Sequence, residues 1–296
     1  MAIEAGIAFG GGGARGMAHV GIVRALETQR FISPVIYAGT SIGSVVAVLL
    51  AAGKSAAEIE KLAVNLEWLR DVVKLTDVMD PRTTAGLLPN TRLGELVNEQ
   101  IGNRSFDDLP VDVAVVATDI EHRRRVIMTS RRVAARIDQG ELERYLPPEL
   151  PGLPGAETVV LSNITDVGLA VRASCAVPGF FRTVNVHGMH LVDGGLVDQT
   201  PVDVVRAMGA SFSVGVSLAL SFMPARMEHV FDALSGTVGM LGIHQLRKSL
   251  DLADIGFQVT GIDNRSPVKP HQTDLIAIGE RDMNEYLHRY FSSEKT

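Results

Sequence analysis

The chain has 296 residues, enough for one large α/β domain or two small ones. Hydrophobic residues make up 46% and charged residues 21%, an ordinary composition for a soluble globular protein. The net charge of −6 argues against nucleic-acid binding, because domains that bind nucleic acids are usually basic. The single cysteine, Cys175, excludes an intramolecular disulfide framework and is typical of a protein in a reducing compartment. We expect its side chain to pack in the core.

The sequence shows no secretory signal peptide and no membrane-spanning segment, so we expect a cytoplasmic protein. The N-terminal residues lack a basic region. The longest apolar run, from Val45 to Ala52, is far shorter than the roughly 20 residues of a spanning helix. Peripheral contact with the inner surface of a membrane is compatible with this composition.

A glycine-rich loop from Gly10 to Gly16 follows the first predicted strand, Ile3 to Phe9. A helix is predicted after the loop, from about Met17 to Gln29. Successive glycines let several backbone N–H groups point into one concavity, and a helix N-terminus at that place favours an anion. Two anions fit such a loop: a pyrophosphate and the oxyanion of an acyl-transfer intermediate.

Gly11, Gly13 and Gly16 also match the G-x-G-x-x-G pattern of dinucleotide-binding folds. That fold needs an acidic residue about 20 positions later, at the end of the second strand, to bind ribose. The second predicted strand, Val35 to Ala38, ends without an acidic residue, and no Gly-Lys-Ser/Thr follows the glycines as in a P-loop. We therefore favour the oxyanion over the nucleotide, with a purely structural turn as the other alternative.

The second strand runs into Gly39-Thr40-Ser41-Ile42-Gly43, and a helix-like run follows from Ser44 to Ala52. A serine between glycines at a strand-to-helix turn is typical of a nucleophile elbow, whose crowded backbone admits only small neighbours and exposes the hydroxyl. The helix N-terminus stabilises negative charge that develops there. The motif is short, but its position and the upstream glycine loop favour acyl transfer through Ser41.

A third motif, Asp193-Gly194-Gly195, follows a β-like segment from Thr183 to Val192. An aspartate at a strand end before two glycines suits a catalytic carboxylate, although Asp-Gly is also an ordinary hairpin turn. The two upstream motifs make us favour the catalytic interpretation. The histidines after Asp193 permit the order of a Ser-His-Asp triad, but none sits in a compact loop after a clear strand, and His271 is the best of these poorly placed candidates.

The order of the other predicted elements indicates a parallel sheet with crossover helices, in a single domain over 1–296. Further helices are predicted at about 55–70, 91–101, 167–176, 201–208 and 274–291, with a mixed helical region at 226–254. Strands are predicted at 111–120, 124–129, 212–218 and 257–262. Residues 131–165 contain four prolines and are predicted to form a surface insertion near the mouth of the site.

Six arginines form a local basic cluster in this acidic chain: Arg123, Arg124, Arg125, Arg131, Arg132 and Arg136. The ordinary interpretation of such a cluster is a solvated hairpin end. The alternative is contact with anionic lipid headgroups, which predicts weak, salt-sensitive association with membranes.

Together, the three glycine-containing motifs resemble the patatin-like phospholipases in type, order and spacing. The chain looks most similar to bacterial members related to the catalytic domain of neuropathy target esterase. The resemblance covers about residues 5–220. Supporting segments are Ala18–Gly21, Ala117–Asp119, Val171–Ser174 and Pro178–Phe181. The resemblance implies a three-layer α/β/α fold with a central, mostly parallel sheet.

The resemblance also implies a Ser–Asp dyad that hydrolyses acyl esters of phospholipids, lysophospholipids or neutral lipids without a metal or other cofactor. Ser41 would be the nucleophile and Asp193 the general base. Backbone N–H groups of the Gly11–Gly13 loop would form the oxyanion hole, with Arg15 holding the loop in shape. The residues implied for this hole and its support are Gly11, Gly12, Gly13, Arg15 and Gly16.

Two departures from the family pattern affect these expectations. Asp198-Gln199 stands where relatives usually carry an asparagine, so a second carboxylate lies near the site. We expect Asp193 to be the base and Asp198 to cap the next helix. The segment 131–165 leaves the lipid preference open. The alternative function is a non-catalytic lipid- or partner-binding protein that retains the fold.

Overall fold

The computed structural model describes residues 2–65, 90–144, 157–218, 249–260 and 272–293. Its strands are β1 (Ile3–Phe9), β2 (Ile32–Thr40), β3 (Asp112–Asp119), β4 (Arg124–Thr129), β5 (Thr158–Leu161), β6 (Val184–Val186), β7 (Met189–Asp193), β8 (Ser213–Ser217) and β9 (Ile255–Gln258). The helices named below are α1 (Met17–Gln29), α2 (Ile42–Ala51), α3 (Ala56–Asn65), α4 (Thr91–Gln100), α5 (Arg131–Ala134), α6 (Gln139–Arg144), α7 (Val167–Ser174), α8 (Val202–Ala207) and α9 (Gln272–Ser293).

The strands form one sheet in the order β5-β4-β3-β2-β1-β8-β9, with the β6–β7 hairpin attached to β3. β1 pairs in parallel with β2 and β8, β2 pairs in parallel with β3, and β8 pairs in parallel with β9. β4 and β7 run antiparallel to β3. The prediction of a mostly parallel central sheet is therefore confirmed.

Hydrophobic cores cover both faces of the sheet. Along β1, the buried side chains of Ile7 and Phe9 belong to a large core with α1 and α2, whereas Ala8 belongs to a second core with α8. This division follows from the alternation of side chains along a strand. Cys175 lies in the larger core, as the sequence predicts. Helices thus flank the sheet on both sides, and the expected three layers are present.

Two strands meet end to end along one edge of β3. Thr40, the last residue of β2, is opposite Val116, and Asp193, the last residue of β7, is opposite Ala117. Because β2 runs parallel and β7 antiparallel to β3, their carboxyl ends point toward each other. This topology brings the residues after Thr40 beside Asp193.

Several predicted elements occur where the sequence places them. β1 and α1 have the predicted bounds, and the neighbouring predicted strands β3 and β4 pair with each other. The β-like segment 183–192 is a hairpin of two short strands, because His187 and Gly188 both adopt positive φ angles and turn the chain. The end of the predicted helix, at 66–70, and most of the predicted helical region at 226–254 lie outside the described residues.

The segment 131–165 differs from the predicted surface insertion. It contains α5, α6 and β5, and β5 extends the sheet by pairing in parallel with β4. Val133 and Leu142 are fully buried in the second core. The four prolines suggested irregular structure, but they fall within 145–156, outside the described residues. The described parts of the segment belong to the framework of the sheet.

α9 crosses α1 at very close range. A Cβ atom on Gly21 would overlap the carbonyl group of Ile276, and one on Gly279 would overlap the carbonyl group of Ala18. Glycine at both positions lets the two backbones touch. Because the glycine-rich loop leads directly into α1, this crossing fixes the position of the helix that follows the loop. None of the described helices is long and apolar enough to cross a membrane.

We expect Gly21→Ala to lower the free energy of unfolding by about 1–3 kcal/mol, as overpacking does, even though alanine favours helices by about 1 kcal/mol. Urea denaturation measures this difference. Gly140→Ala in the exposed α6 is the control, since an added Cβ there meets only a side-chain oxygen of Asp138. Equal urea midpoints for the two variants would contradict the close crossing of α1 and α9.

Candidate active site

Ser41 alone makes the turn between β2 and α2. Its φ of 53° and ψ of −129° lie in a region that residues with a side chain rarely adopt. A Cβ on Gly39 would overlap the carbonyl group of Gly43, and one on Gly43 would overlap the carbonyl group of Phe9. The turn therefore has the strained backbone and the two obligatory glycines of a nucleophile elbow.

Hydrogen bonds from three directions hold the backbone of the elbow. The Ser41 N–H donates to Ser174 Oγ at 2.8 Å, and Ser174 Oγ donates to the Val116 carbonyl oxygen at 2.5 Å. The N–H and Oγ of Ser44 both donate to the Ser41 carbonyl oxygen, at 2.8 Å and 2.6 Å. The sequence assigned no role to Ser174. The sequence signal that could have indicated Ser174 was a small polar residue at the end of a mostly apolar helix.

Asp193 faces the elbow from the end of β7. Ser41 Oγ donates to Asp193 Oδ2 at 2.6 Å, and the Gly195 N–H donates to Asp193 Oδ1 at 2.8 Å. The aspartate is 3% exposed and the serine 8%. Burial raises the pKa of Asp193 to about 6, against the lowering effect of the bonds from Ser41 and Gly195. A carboxylate with this pKa is a stronger base than an ordinary aspartate.

The turn after Asp193 needs glycine at 194 and has little room for a side chain at 195. A Cβ on Gly194 would overlap the carbonyl group of Val116. A Cβ on Gly195 would lie 2.6 Å from Gln199 Oε1 and 3.0 Å from Asp193 Oδ1. Gly194 lets the turn pack against β3, and Gly195 leaves space beside the Asp193 carboxylate.

The glycine-rich loop passes beside the elbow, since a Cβ on Gly11 would lie 3.4 Å from Ser41 Cβ. The Gly11 N–H donates to the backbone oxygen of Gln199 at 3.1 Å, so it is not available to an oxyanion. In the described part of the structure, the N–H groups of Gly12 and Gly13 have no acceptor. The predicted oxyanion donors are therefore reduced from Gly11, Gly12 and Gly13 to Gly12 and Gly13.

Arg15 and Gly16 shape the other end of the loop. Arg15 donates to the Gly12 carbonyl oxygen through both its backbone N–H and its side-chain Nε, at 3.2 Å each. A Cβ on Gly16 would overlap the side chain of Ile42, the first residue of α2. The loop is thus folded back on itself by Arg15 and packed against the elbow helix at Gly16.

The serine and the aspartate bond directly, without a histidine between them. His19 is buried on α1, where its Nε2 bonds the Gly10 carbonyl oxygen at 2.8 Å and its ring packs edge-on against Phe9. Burial lowers the pKa of His19 to about 4, so the ring is neutral and supports the loop. His271, the predicted alternative base, lies outside the described residues.

Asp198 belongs to a buried ion cluster, and the prediction that it caps a helix is corrected. Arg125 Nη1 lies 2.9 Å from Asp198 Oδ2 and 2.6 Å from Asp203 Oδ2. All three side chains are about 95% buried, and α8 begins after Pro201. Burial and the neighbouring Asp203 raise the pKa of Asp198, whereas Arg125 lowers it.

The six arginines between 123 and 136 do not form one surface. Arg123 to Arg125 stand at the start of β4, beside the carboxyl end of β3, whereas the other three follow the far end of β4. Arg125 is buried. Ion pairs join Arg124 to Glu157, Arg131 to Asp107, and both Arg132 and Arg136 to Asp112.

The described residues contain no group of three or more His, Cys, Asp or Glu side chains arranged to hold a metal ion.

Comparison with known proteins gives a consistent result. A family model described as patatin-like phospholipase matches residues 7–206. An uncharacterized NTE family protein of Mycobacterium tuberculosis is 28% identical over 215 residues, which cover 72% of this chain and 48% of that protein. Patatin-like phospholipase domain-containing protein 7 of Rattus norvegicus is 28% identical over 236 residues, which cover 78% of this chain and 14% of that protein.

Among solved structures, VipD from Legionella pneumophila superimposes with a TM-score of 0.52 at 14% sequence identity. The match covers 96% of this chain and 67% of VipD, and at this identity it shows a shared fold alone. The chain spans about half the length of the mycobacterial relative and a smaller part of the rat protein.

Arg125→Met should lower the free energy of unfolding by about 3–5 kcal/mol, because it leaves two buried carboxylates without their cation. Asp198→Asn should cost much less, since Arg125 keeps Asp203 and the asparagine oxygen still accepts a hydrogen bond. Urea denaturation of both variants at pH 7.5 tests this order. A larger loss for Asp198→Asn than for Arg125→Met would contradict the described cluster.

Proposed function

This chain belongs to the patatin-like phospholipase family, and from that premise we propose that it is a serine lipid acyl hydrolase. The proposed substrates are carboxylic esters of phospholipids, lysophospholipids or related lipids. The observation that carries the proposal is the direct 2.6 Å hydrogen bond from Ser41 Oγ to the buried carboxylate of Asp193. Its length is normal for an O–H···O bond to a charged acceptor.

In the proposed reaction, Asp193 takes the proton of Ser41 as the serine oxygen attacks the ester carbonyl carbon. The carbonyl oxygen becomes an oxyanion, which the N–H groups of Gly12 and Gly13 stabilise. The tetrahedral intermediate then collapses, and the leaving alcohol takes the proton from Asp193. The acyl group remains on Ser41. A water molecule, deprotonated by Asp193, attacks this ester, and the proton on Asp193 returns to Ser41 Oγ as the fatty acid leaves.

The electrostatics of the site support Asp193 as a base without a histidine. An ordinary aspartate holds a proton too weakly to accept one from serine, and burial raises the pKa of this carboxyl to about 6. The carboxylate is still ionised at neutral pH, so it is ready to accept the proton. Transfer in step with nucleophilic attack avoids a free serine alkoxide.

Membrane contact is a separate prediction that follows from a lipid substrate. The turn that carries Arg123 lies at the carboxyl edge of β3, the edge at which β2 delivers Ser41. The arginines at 131–136 lie at the opposite end of β4 and pair with carboxylates. We therefore propose that any contact with anionic headgroups is made by the turn at 120–123 and not by all six arginines between 123 and 136.

A fluorophosphonate probe and a short-chain nitrophenyl ester test the nucleophile. We expect the wild type and the control Ser33→Ala, at an exposed strand position, to be labelled and active. Ser41→Ala should lose both labelling and turnover, because no other residue would form the acyl-enzyme. Unchanged labelling of Ser41→Ala would overturn the assignment. Lipid binding by an unlabelled, inactive wild type would support the non-catalytic alternative.

The pH profile tests the base. Because Asp193 must be ionised to accept a proton, kcat/KM should fall about tenfold per pH unit below pH 6 and level off above it. Asp193→Asn should lower the rate at least about 100-fold and remove this inflection.

Two variants serve as comparisons for the base. A folded Asp198→Asn should keep the inflection near pH 6, since Asp198 bonds Arg125 and not Ser41. His271→Ala should reduce the rate little. A profile in which His271→Ala abolishes turnover while Asp193→Asn retains it would favour the triad over the dyad.

A further inference from the structure

Gln199 bonds both polar groups of one residue in the glycine-rich loop. Its backbone oxygen accepts a hydrogen bond from the Gly11 N–H at 3.1 Å. Its side-chain Nε2 donates to the Gly11 carbonyl oxygen at 3.0 Å. The amide orientation is fixed chemically, because a carbonyl oxygen can only accept and only the NH₂ group of glutamine can donate. One residue therefore clamps Gly11 on both sides.

The side chain of Gln199 lies between the two loops of the active site. Its Nε2 is 3.0 Å from the place that a Cβ on Gly11 would occupy, and its Oε1 is 2.6 Å from the corresponding place on Gly195. Gly195 donates to the Asp193 carboxylate, and Gly11 precedes the free N–H groups of Gly12 and Gly13. The half-buried amide of Gln199 thus lies between two glycines. Gly195 bonds the proposed base, and Gly11 precedes the proposed oxyanion donors.

The backbone that carries Gln199 is itself held firmly. The Asp198 N–H donates to the Gly194 carbonyl oxygen at 2.9 Å, and Thr40 Oγ1 donates to the Asp198 carbonyl oxygen at 2.9 Å. The Asp198 carboxylate bonds Arg125 in the buried cluster. Gln199 therefore reaches the loop from a rigid base, which is the condition for fixing a flexible partner.

The loop needs such a support because four consecutive glycines, Gly10 to Gly13, have wide conformational freedom. Gly13 adopts a φ of 56°, and a Cβ placed on it would have no neighbour within 4 Å. An oxyanion donor is effective only when it is aimed before the charge develops. A displacement of about 1 Å at such a site costs on the order of 100-fold in rate.

We propose that Gln199 is a positioning residue of the hydrolytic site: by clamping Gly11, it keeps the N–H groups of Gly12 and Gly13 aimed at the oxyanion. Among the described residues, Gln199 makes no hydrogen bond to Ser41 or Asp193, so it acts through the loop. The proposal rests on the proposed acyl-hydrolase function.

Gln199→Met tests this role, because methionine keeps the length of the side chain and cannot donate to Gly11. We expect kcat for a short-chain nitrophenyl ester to fall about 10- to 100-fold while KM changes less than about threefold. The rate constant for fluorophosphonate labelling should fall by a similar factor, since that reaction uses the same oxyanion donors. The inflection near pH 6 should remain, because Asp193 keeps its surroundings.

Hydrogen exchange of the amides in residues 10–16 provides a readout that does not depend on activity. Within this segment, the hydrogen-bonded amides of Gly11 and Arg15 should exchange about tenfold faster in Gln199→Met than in the wild type, with little change in the thermal midpoint. Gln139→Met, at an exposed position on α6, is the matched control and should change neither exchange nor kinetics.

The outcomes separate this inference from the proposed function. If the wild type hydrolyses esters but Gln199→Met keeps its kcat and its exchange rate, the clamp has no role. A raised KM with unchanged kcat would make Gln199 a substrate-binding residue and overturn the proposal. A lower thermal midpoint with normal kcat per labelled site would indicate a structural role only. If the wild type neither labels nor turns over, the proposed function fails, and hydrogen exchange still tests the clamp.

Discussion

The hydrogen bond between Ser41 and Asp193 joins positions 152 residues apart, and it depends on how two strands share one edge of β3. β2 and β7 approach that edge from opposite directions and end opposite the adjacent residues Val116 and Ala117. Each strand places its functional residue at the junction. A shift of either strand by one residue would reverse the faces of its side chains and separate the pair. The sheet register is therefore the constraint on which the site depends.

The strained backbone of Ser41 is stable because its neighbours hold it. A residue with a side chain in such a conformation costs about 1–3 kcal/mol. The bonds from Ser44 and to Ser174 contribute about 1 kcal/mol each, so together they offset much of that cost. Ser174 also bonds the Val116 carbonyl oxygen at the point where β2 ends. The elbow and the strand junction consequently stabilise each other.

Local patterns predicted the parts of this structure that local physics determines. The bounds of β1 and α1, the elbow and the two glycine turns follow from alternation, helix periodicity and the steric needs of glycine. The partners of Ser174 and Gln199 were not predictable in this way. They lie 58 to 188 residues away in sequence, and only the completed sheet brings them within hydrogen-bonding distance.

The arginine cluster shows why proximity in sequence misleads for strands. Six residues of β4 span about 20 Å, so the charges before and after it lie at opposite ends of the sheet. Within the cluster, alternation turns Arg125 inward, where two aspartates neutralise it. The segment 131–165 differs from its predicted surface position for a related reason. Its prolines suggested a surface insertion, whereas the apolar residues Val133 and Leu142 before them belong to the core.

Asp193 and Asp198 are five positions apart and both buried, yet their surroundings give them different chemistry. Arg125 bonds Asp198 and Asp203 with its guanidinium, and a cation so placed favours the charged form of a carboxyl. Burial raises the pKa of both carboxyls, but at Asp198 the neighbouring Asp203 adds to the rise and the Arg125 cation opposes it, whereas at Asp193 only hydrogen bonds from Ser41 and Gly195 oppose it. Had Arg125 faced Asp193, it would have lowered the pKa and weakened the base. The ion cluster thus holds the turn in place, and its cation bonds Asp198 and not Asp193.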